Sequence, residues 1–231
     1  MAAGMIHYLK NPPEKIEHLK DYNYHVAGLV GEFLTEVVSE MDGVQLMPTR
    51  AIPYGDYLQM ANNIRDIGDD YRLRDKRIIW PSDFYKDIGV EAFMTEPSLK
   101  GRRRDILETM LDSAYESRDE TFDYILSVPA WLVGYTAFST IPAILADKTY
   151  EAIEDEESME REDVFNLEGG VKIGRDEFKN VTSFAVKLAD MDKDECKGRI
   201  HAFVRQYREK QKDFSFKDGE FEKWAPKYLT A

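Results

Sequence analysis

Residues 124–146 (YILSVPAWLVGYTAFSTIPAILA) run for 23 residues without a charged side chain, between Asp123 and Asp147. A stretch of that kind has to leave water, either into a bilayer or into a protein core, and its length alone admits a membrane span. Its composition points to the core. Pro129, Pro142 and Gly134 interrupt it, several hydroxyls need partners, and its flanks are acidic where a span favours Lys and Arg. The expectation is a buried helix, kinked or broken near its prolines and lining an apolar pocket. Met1 opens on MAAGMIHYL with no basic leader, and the closing GEFEKWAPKYLTA is too polar and short to anchor the chain, so a cytoplasmic protein is expected.

The other segments read as helices around such a core, for which 231 residues in one domain are ample. A short apolar helix over residues 2–9 ends at Asn11-Pro12-Pro13. A longer one is expected over 13–39, where VAGLVG (residues 26–31) supplies small residues for close packing. Trp80-Pro81-Ser82 starts a short helix, and Pro97-Ser98 precedes one long amphipathic helix to about Leu126. Eight acids in residues 151–163 imply an exposed helix or loop, and residues 169–174 (GGVKIG) a flexible turn or flap. Helices over 175–189 and 193–212 complete the chain. With no repeat and no strand-rich region, the fold class is all-α.

Charge and sulfur narrow the function. A net charge of −13 disfavours nucleic acid, whose phosphates are bound by Lys and Arg. Arg102 to Arg104 form the one dense basic run; acids follow at Asp105 and Glu108, which suggests an exposed helix start. Cys196 stands alone, so no internal disulfide forms and a reducing compartment is expected. His18 and His25 lack a nearby third ligand for zinc.

The chemistry concentrates in residues 59–70, QMANNIRDIGDD. On a helix, Gln59, Asn62, Asp66 and Asp69/Asp70 recur at steps of three and four and share a face. Such a face is either a solvated acidic surface or a cation site. Hard oxygen donors suit Mg²⁺, which takes one or two carboxylates together with phosphate oxygens and water. Gly68, costly inside a helix, would let a bulky ligand approach the backbone. A diphosphate substrate is the expectation.

The landmarks HVAGLVG, LQMANNIRDIGDD with RIIWPSDFY, FSTIPAILA and GGVKIG follow one another in an order and spacing that resemble the squalene/phytoene synthase family of head-to-head prenyltransferases. Trp80-Pro81 and VAGLVG look more like squalene synthase than phytoene synthase. The resemblance implies an isoprenoid synthase helical bundle with a central cavity, in which two farnesyl diphosphates condense with loss of diphosphate to a cyclopropyl intermediate. Squalene synthases then reduce that intermediate with NADPH. It also implies Mg²⁺ on Asp66, Asp69 and Asp70, with Gln59, Asn62, Arg65 and Arg77 toward substrate or cofactor phosphate. Phe138 matches a pocket phenylalanine, suited either to shielding a cation or to plain core packing. Lys172 matches a lysine in the loop associated with NADPH, or is an exposed loop lysine.

The tyrosine region departs from the family pattern. Tyr22-Asn23-Tyr24-His25 precedes VAG, with His25 where squalene synthases carry a catalytic tyrosine and Tyr24 matching a tyrosine of dehydrosqualene-type members. Tyr22, Tyr24 and His25 are all candidates for proton handling. Gly174 stands where the family loop carries an arginine. The family's first Asp-rich motif has no counterpart, so the resemblance implies an N-terminally truncated bundle that exposes the apolar face of residues 124–146 and is not a competent synthase alone. The partners implied are farnesyl diphosphate, a separately encoded N-terminal half, and peripheral membrane contact for the apolar product. A non-catalytic scaffold on the same fold, or a phytoene/dehydrosqualene synthase, are the alternatives.

Overall fold

The protein is seen as a computed structural model that describes residues 4, 6–8, 11–190, 198–213 and 225. All regular structure among them is helical, as the sequence predicts. Cys196, half of the helix expected over 2–9, the first residues of the one over 193–212 and most of the C-terminal segment lie outside the described residues.

The helix expected over 13–39 forms, but in two pieces. α1 (Ile16–Asn23) runs through a π-helical turn at Tyr24–Gly28 into α2 (Leu29–Asp42), which ends at Gly43 with φ 65°. The Leu29 N–H reaches back five residues to the Tyr24 carbonyl. Such one-residue widenings recur at functional sites in helices. The turn lies against α3 (Ala51–Arg65) through glycines. A Cβ on Gly55 would stand 2.7 Å from the Gly28 nitrogen, and one on Gly31 2.9 Å from the Ala51 carbonyl oxygen. The small residues of VAGLVG therefore permit backbone-to-backbone approach.

α3 is the hub of the bundle. It packs against the π turn, α2, α6 (Lys100–Tyr115), α7 (Arg118–Ser127) and α8 (Val133–Glu154). Tyr57, Met60 and Ile64 enter one apolar core with Trp80, Phe93, Met110, Tyr150 and Phe165. Ala51 joins a second, built from Phe122, Ile125, Ile144, Phe184, Phe203 and Tyr207. The second core draws on α10 (Arg175–Asp190) and α11 (Arg199–Asp213). Short helices α4 (Ile67–Leu73), α5 (Val90–Thr95) and α9 (Glu156–Arg161) lie between the longer ones.

Two sequence expectations are corrected here, and a third, the break near the prolines of 124–146, is met. The long helix over 97–126 is broken, because α6 stops at Tyr115 and α7 begins at Arg118. Ser117 in the break donates to the buried Asp56 carboxylate at 2.8 Å, a contact that a continuous helix does not offer it. Arg103 is not an exposed helix-start residue. Its side chain is sealed and pairs with Glu162 at 2.7 and 2.8 Å while donating to the Phe93 and Glu96 carbonyls, which satisfies a buried guanidinium. The uncharged stretch 124–146 is divided between the end of α7, a loop containing Pro129 and the first half of α8, with Pro142 inside that helix. Among the described residues, no helix is long and apolar enough to cross a membrane.

Candidate functional site

The face foreseen over residues 59–70 exists, folded around a break. α3 ends at Arg65, Asp66 takes φ −93° and ψ 7°, and α4 starts at Ile67. Helical bonding continues across the junction, with Asp66 N–H on the Asn62 carbonyl at 2.9 Å and Asp70 N–H on that of Asp66 at 2.7 Å. Met60, Ile64 and Ile67 point into the core, while Gln59, Asn62, Arg65, Asp66, Asp69 and Asp70 lie on the partly open side.

Each aspartate on this face meets an arginine. Arg65 forks onto Asp66 at 2.7 and 2.8 Å, Arg72 reaches Asp69 at 2.6 Å, and Arg74 reaches Asp70 at 2.7 Å. The Arg72 hydrogen bond, helped by Arg72, Lys172 and Arg65 charge, holds the Asp69 carboxyl below the usual carboxylate range. Burial pushes Asp70 the other way, against the pull of Arg74 and with the repulsion of Asp66 and Asp69. Among the described residues, no three His, Cys, Asp or Glu side chains gather closely enough to cage a metal. The donors themselves are hard carboxylate oxygens, the chemistry Mg²⁺ takes, and Mg²⁺ needs only one or two of them when phosphate and water complete its shell. The residues fit that group.

Of the proton-handling candidates, Tyr22 is the one at this face. Its side chain hydrogen-bonds Arg74, and its hydroxyl is raised by burial and by Asp70. Tyr24 and His25 point elsewhere. Tyr24 donates to Glu32 at 3.0 Å, and that bond raises its hydroxyl. His25 Nε2 stands 3.7 Å from Asp21, its ring lies where a Cβ on Gly4 would fall, and its buried Nδ1 has no partner. Two and three positions beyond Tyr22 on the helix, Tyr24 and His25 fall on other faces.

The loop over 169–174 closes against the same junction and is anchored, where the sequence suggested a flap. Val171 is buried, a Cβ on Gly170 would come 3.1 Å from the Arg65 carbonyl oxygen, and Lys172 is exposed near enough to act on Asp69. Gly68 also has a different reason from the one expected. What approaches its backbone is the chain itself, since a Cβ there would lie 2.6 Å from the Asn166 carbonyl oxygen and 3.3 Å from that of Val164. Gly68→Ala should therefore lower stability by about 1–3 kcal/mol, read as a lower urea midpoint with unchanged slope. A midpoint equal to wild type would mean that the loop yields freely.

Two further implied site residues are exposed. Arg77 is exposed on the turn after α4, past Asp75 and Lys76, whose φ values of 55° and 60° reverse the chain. Phe138 is 56% exposed on α8, stacked on Tyr135 at 6.1 Å, and so is not packed in the core. With Trp131 and Gly134 it leaves part of the apolar face of 124–146 open, while Tyr124 is buried.

Sequence reading missed what lies behind the face. Gln59 donates to Asn63, Asn63 to Asn23, and Asn23 to Asp56, at 3.0, 2.8 and 2.8 Å, and Ser117 donates to the same carboxylate. Asn23, Asp56 and Asn63 are all buried. The available signal was Asp56 and Asn63 on the otherwise apolar side of a helix. Arg72 and Arg74 were missed too, although their spacing from Asp69 and Asp70 is that of helical ion pairs.

The sequence and the fold have counterparts among known proteins. The chain is 29% identical over 164 residues to squalene synthase of Gibberella zeae and to a probable squalene synthase of Neurospora crassa, each match covering 66% of this chain. It spans only 35% and 33% of the length of those relatives. Two solved structures of TcSQS, in complex with the ligands BPH1237 and E5700, share the fold. Their TM-scores are 0.67 and 0.68 at 21% and 22% identity, over 98% and 99% of this chain and 64% of theirs. The squalene/phytoene synthase family model matches residues 1–171, which takes in α1 to α9, the aspartate face and the start of the loop that carries Lys172. By that match the chain belongs to the squalene/phytoene synthase family.

Proposed function

We propose that this chain supplies a diphosphate-handling wall of a squalene synthase-like prenyltransferase acting on farnesyl diphosphate, with NADPH as reductant. The observation that carries the reading is the convergence of Asp66, Asp69, Asp70, Arg65, Lys172 and Tyr22 at the α3–α4 junction. Mg²⁺ held by Asp66 and Asp70, with Asp69 beside them, would neutralise diphosphate charge as it leaves. Arg65 and Lys172 offer cationic donors for phosphate oxygens, Gln59 and Asn62 offer amides, and Tyr22 stands ready to exchange a proton with the leaving group. The open aromatic surface of Tyr135 and Phe138 suits a cationic isoprenoid chain held away from water. A cytoplasmic enzyme with peripheral membrane contact, where its apolar product would partition, fits this chemistry.

Titration calorimetry of the full chain with inorganic pyrophosphate and with farnesyl diphosphate, each with Mg²⁺ and with EDTA, tests the reading. Mg²⁺-dependent binding is expected, and Asp66→Asn and Asp70→Asn should each weaken it at least about tenfold, as loss of a charged ligand implies. Undiminished binding in both variants would remove these residues from the site. One observation favours the second reading, a scaffold without chemistry: every aspartate of the face already has an arginine. No Mg²⁺-dependent binding to either ligand would support it.

A further inference from the structure

Arg74 occupies an unusual place among the cations of this face. It sits one residue beyond α4, where the helix gives way to the reversing turn of Asp75 and Lys76. Its Nε lies 2.7 Å from Asp70 Oδ1, and its guanidinium also hydrogen-bonds Tyr22. The Asp70 side chain is only 13% exposed, whereas Arg74 is 51% exposed. The buried acid therefore meets solvent beside a cation that is itself free to leave.

Geometry makes this pair a competitor for any metal. A divalent cation that ligates the bonded oxygen of Asp70 has to displace Arg74, because both seek the same lone pairs. Displacement into water would leave Arg74 without its carboxylate and Tyr22 without its donor. A diphosphate removes that penalty, since its oxygens accept the same guanidinium fork. The anchoring turn does not tie the side chain down. Its bonds are Lys76 N–H to the Tyr71 carbonyl, Arg77 N–H to the Arg74 carbonyl and the Lys76 ammonium to Glu91, and none engages the Arg74 side chain.

We propose that Arg74 is an exchangeable counter-ion, paired with Asp70 and Tyr22 in the ligand-free chain and transferred to a diphosphate oxygen when Mg²⁺ takes Asp70, so that cation and diphosphate bind cooperatively. The proposal rests on the diphosphate reading of this face and adds to it a residue and a coupling. Each ligand alone binds weakly, because Mg²⁺ must break the pair and pyrophosphate meets an uncompensated carboxylate. Together they exchange partners. By linkage the enhancement is the same whichever ligand is added first.

The test measures Mg²⁺ affinity of the full chain by calorimetry, without and with saturating inorganic pyrophosphate, and pyrophosphate affinity without and with Mg²⁺. Wild type should show at least a tenfold enhancement, equal in both directions. Arg74→Gln should bind Mg²⁺ alone at least threefold more tightly than wild type and lose at least threefold of the enhancement, the remainder coming from direct contact of Mg²⁺ with diphosphate oxygens. Arg74→Lys, still a cation but without the fork, should fall between the two. Arg104→Gln, an exposed cation on α6 paired with Glu108, should retain the full coupling. Circular dichroism establishes that each variant keeps its helices. Wild-type coupling in Arg74→Gln would overturn the exchange and leave the diphosphate reading standing. Absence of Mg²⁺-dependent pyrophosphate binding in wild type would overturn both.

Discussion

Replacing Trp80 by alanine should destabilise the protein by about 3–5 kcal/mol, among the largest effects of any single core truncation. The indole is fully buried, edge-on to Phe165 at 5.6 Å and tilted against Phe93 at 6.3 Å. Its Nε1–H donates to the Asn63 carbonyl at 2.8 Å, in the last turn of α3 just before the break at Asp66. Truncation opens a cavity in the main core and removes a bond to a carbonyl near a helix end, where intrahelical partners run out. Trp80→Phe separates the two contributions. It keeps most of the packing and loses the bond, and should cost about 1–3 kcal/mol. Chemical denaturation of both variants checks this. Equal losses would mean that the indole N–H contributes nothing, and the link from the Trp-Pro landmark to the aspartate face would then be packing alone.

Removing Asp147 should be comparably severe. Arg118 reaches its two carboxylate oxygens at 2.8 and 3.1 Å, the two side chains being 12% and 4% exposed. The Tyr57 hydroxyl donates to the same carboxylate, and Tyr150 donates to the Tyr57 carbonyl at 2.7 Å. Burial acts to lower the Arg118 guanidinium, but the attraction and hydrogen bonds of Asp147 outweigh it and leave it raised. Burial, then Asp147, holds the Tyr57 hydroxyl well above its ordinary value. Asp147→Ala strands a buried cation over the Phe122 ring and orphans a buried hydroxyl. The expected loss is about 3–5 kcal/mol, and roughly a 10 °C fall in Tm for a domain of this size.

The double variant Arg118→Met/Asp147→Leu is the informative partner to that measurement. Replacing both charges with apolar groups removes the desolvation cost along with the attraction, so much of the loss should return. A double variant no more stable than Asp147→Ala alone would mean that the network, with Tyr57 and Tyr150, sets the α3–α7–α8 packing in a way that apolar side chains cannot replace.

The aspartate face was legible because a helix repeats every 3.6 residues and the residues needed are local. Gln59, Asn62, Asp66, Asp69 and Asp70 stay within about three turns, so spacing alone put them together. The close crossing at VAGLVG was legible for a related reason, since small residues allow two backbones to touch whatever the partner is. The role of Gly68 was misread because sequence says that something approaches and not what. The polar relay from Gln59 to Asp56 was invisible because its members come from α1, α3 and the α6–α7 break, segments that meet only after folding.

The all-α class, the shared face of residues 59–70 and the burial of much of 124–146 follow from the sequence by itself, because periodicity and the cost of exposing or burying each side chain act over short distances. Tertiary structure alone decided that Tyr22, and not Tyr24 or His25, lies beside Arg74 and Asp70. It decided that Arg74 stands at Asp70 while Arg77 is exposed on the turn, and that Arg103 is buried. The close approach of α2 to α3 follows the π turn, and the course of the chain past Arg74 follows the break at Asp66 and the reversal at Asp75–Lys76. Each rotates every side chain that follows it, and only the packing of distant segments, glycine against glycine at Gly28 and Gly55, selects that rotation.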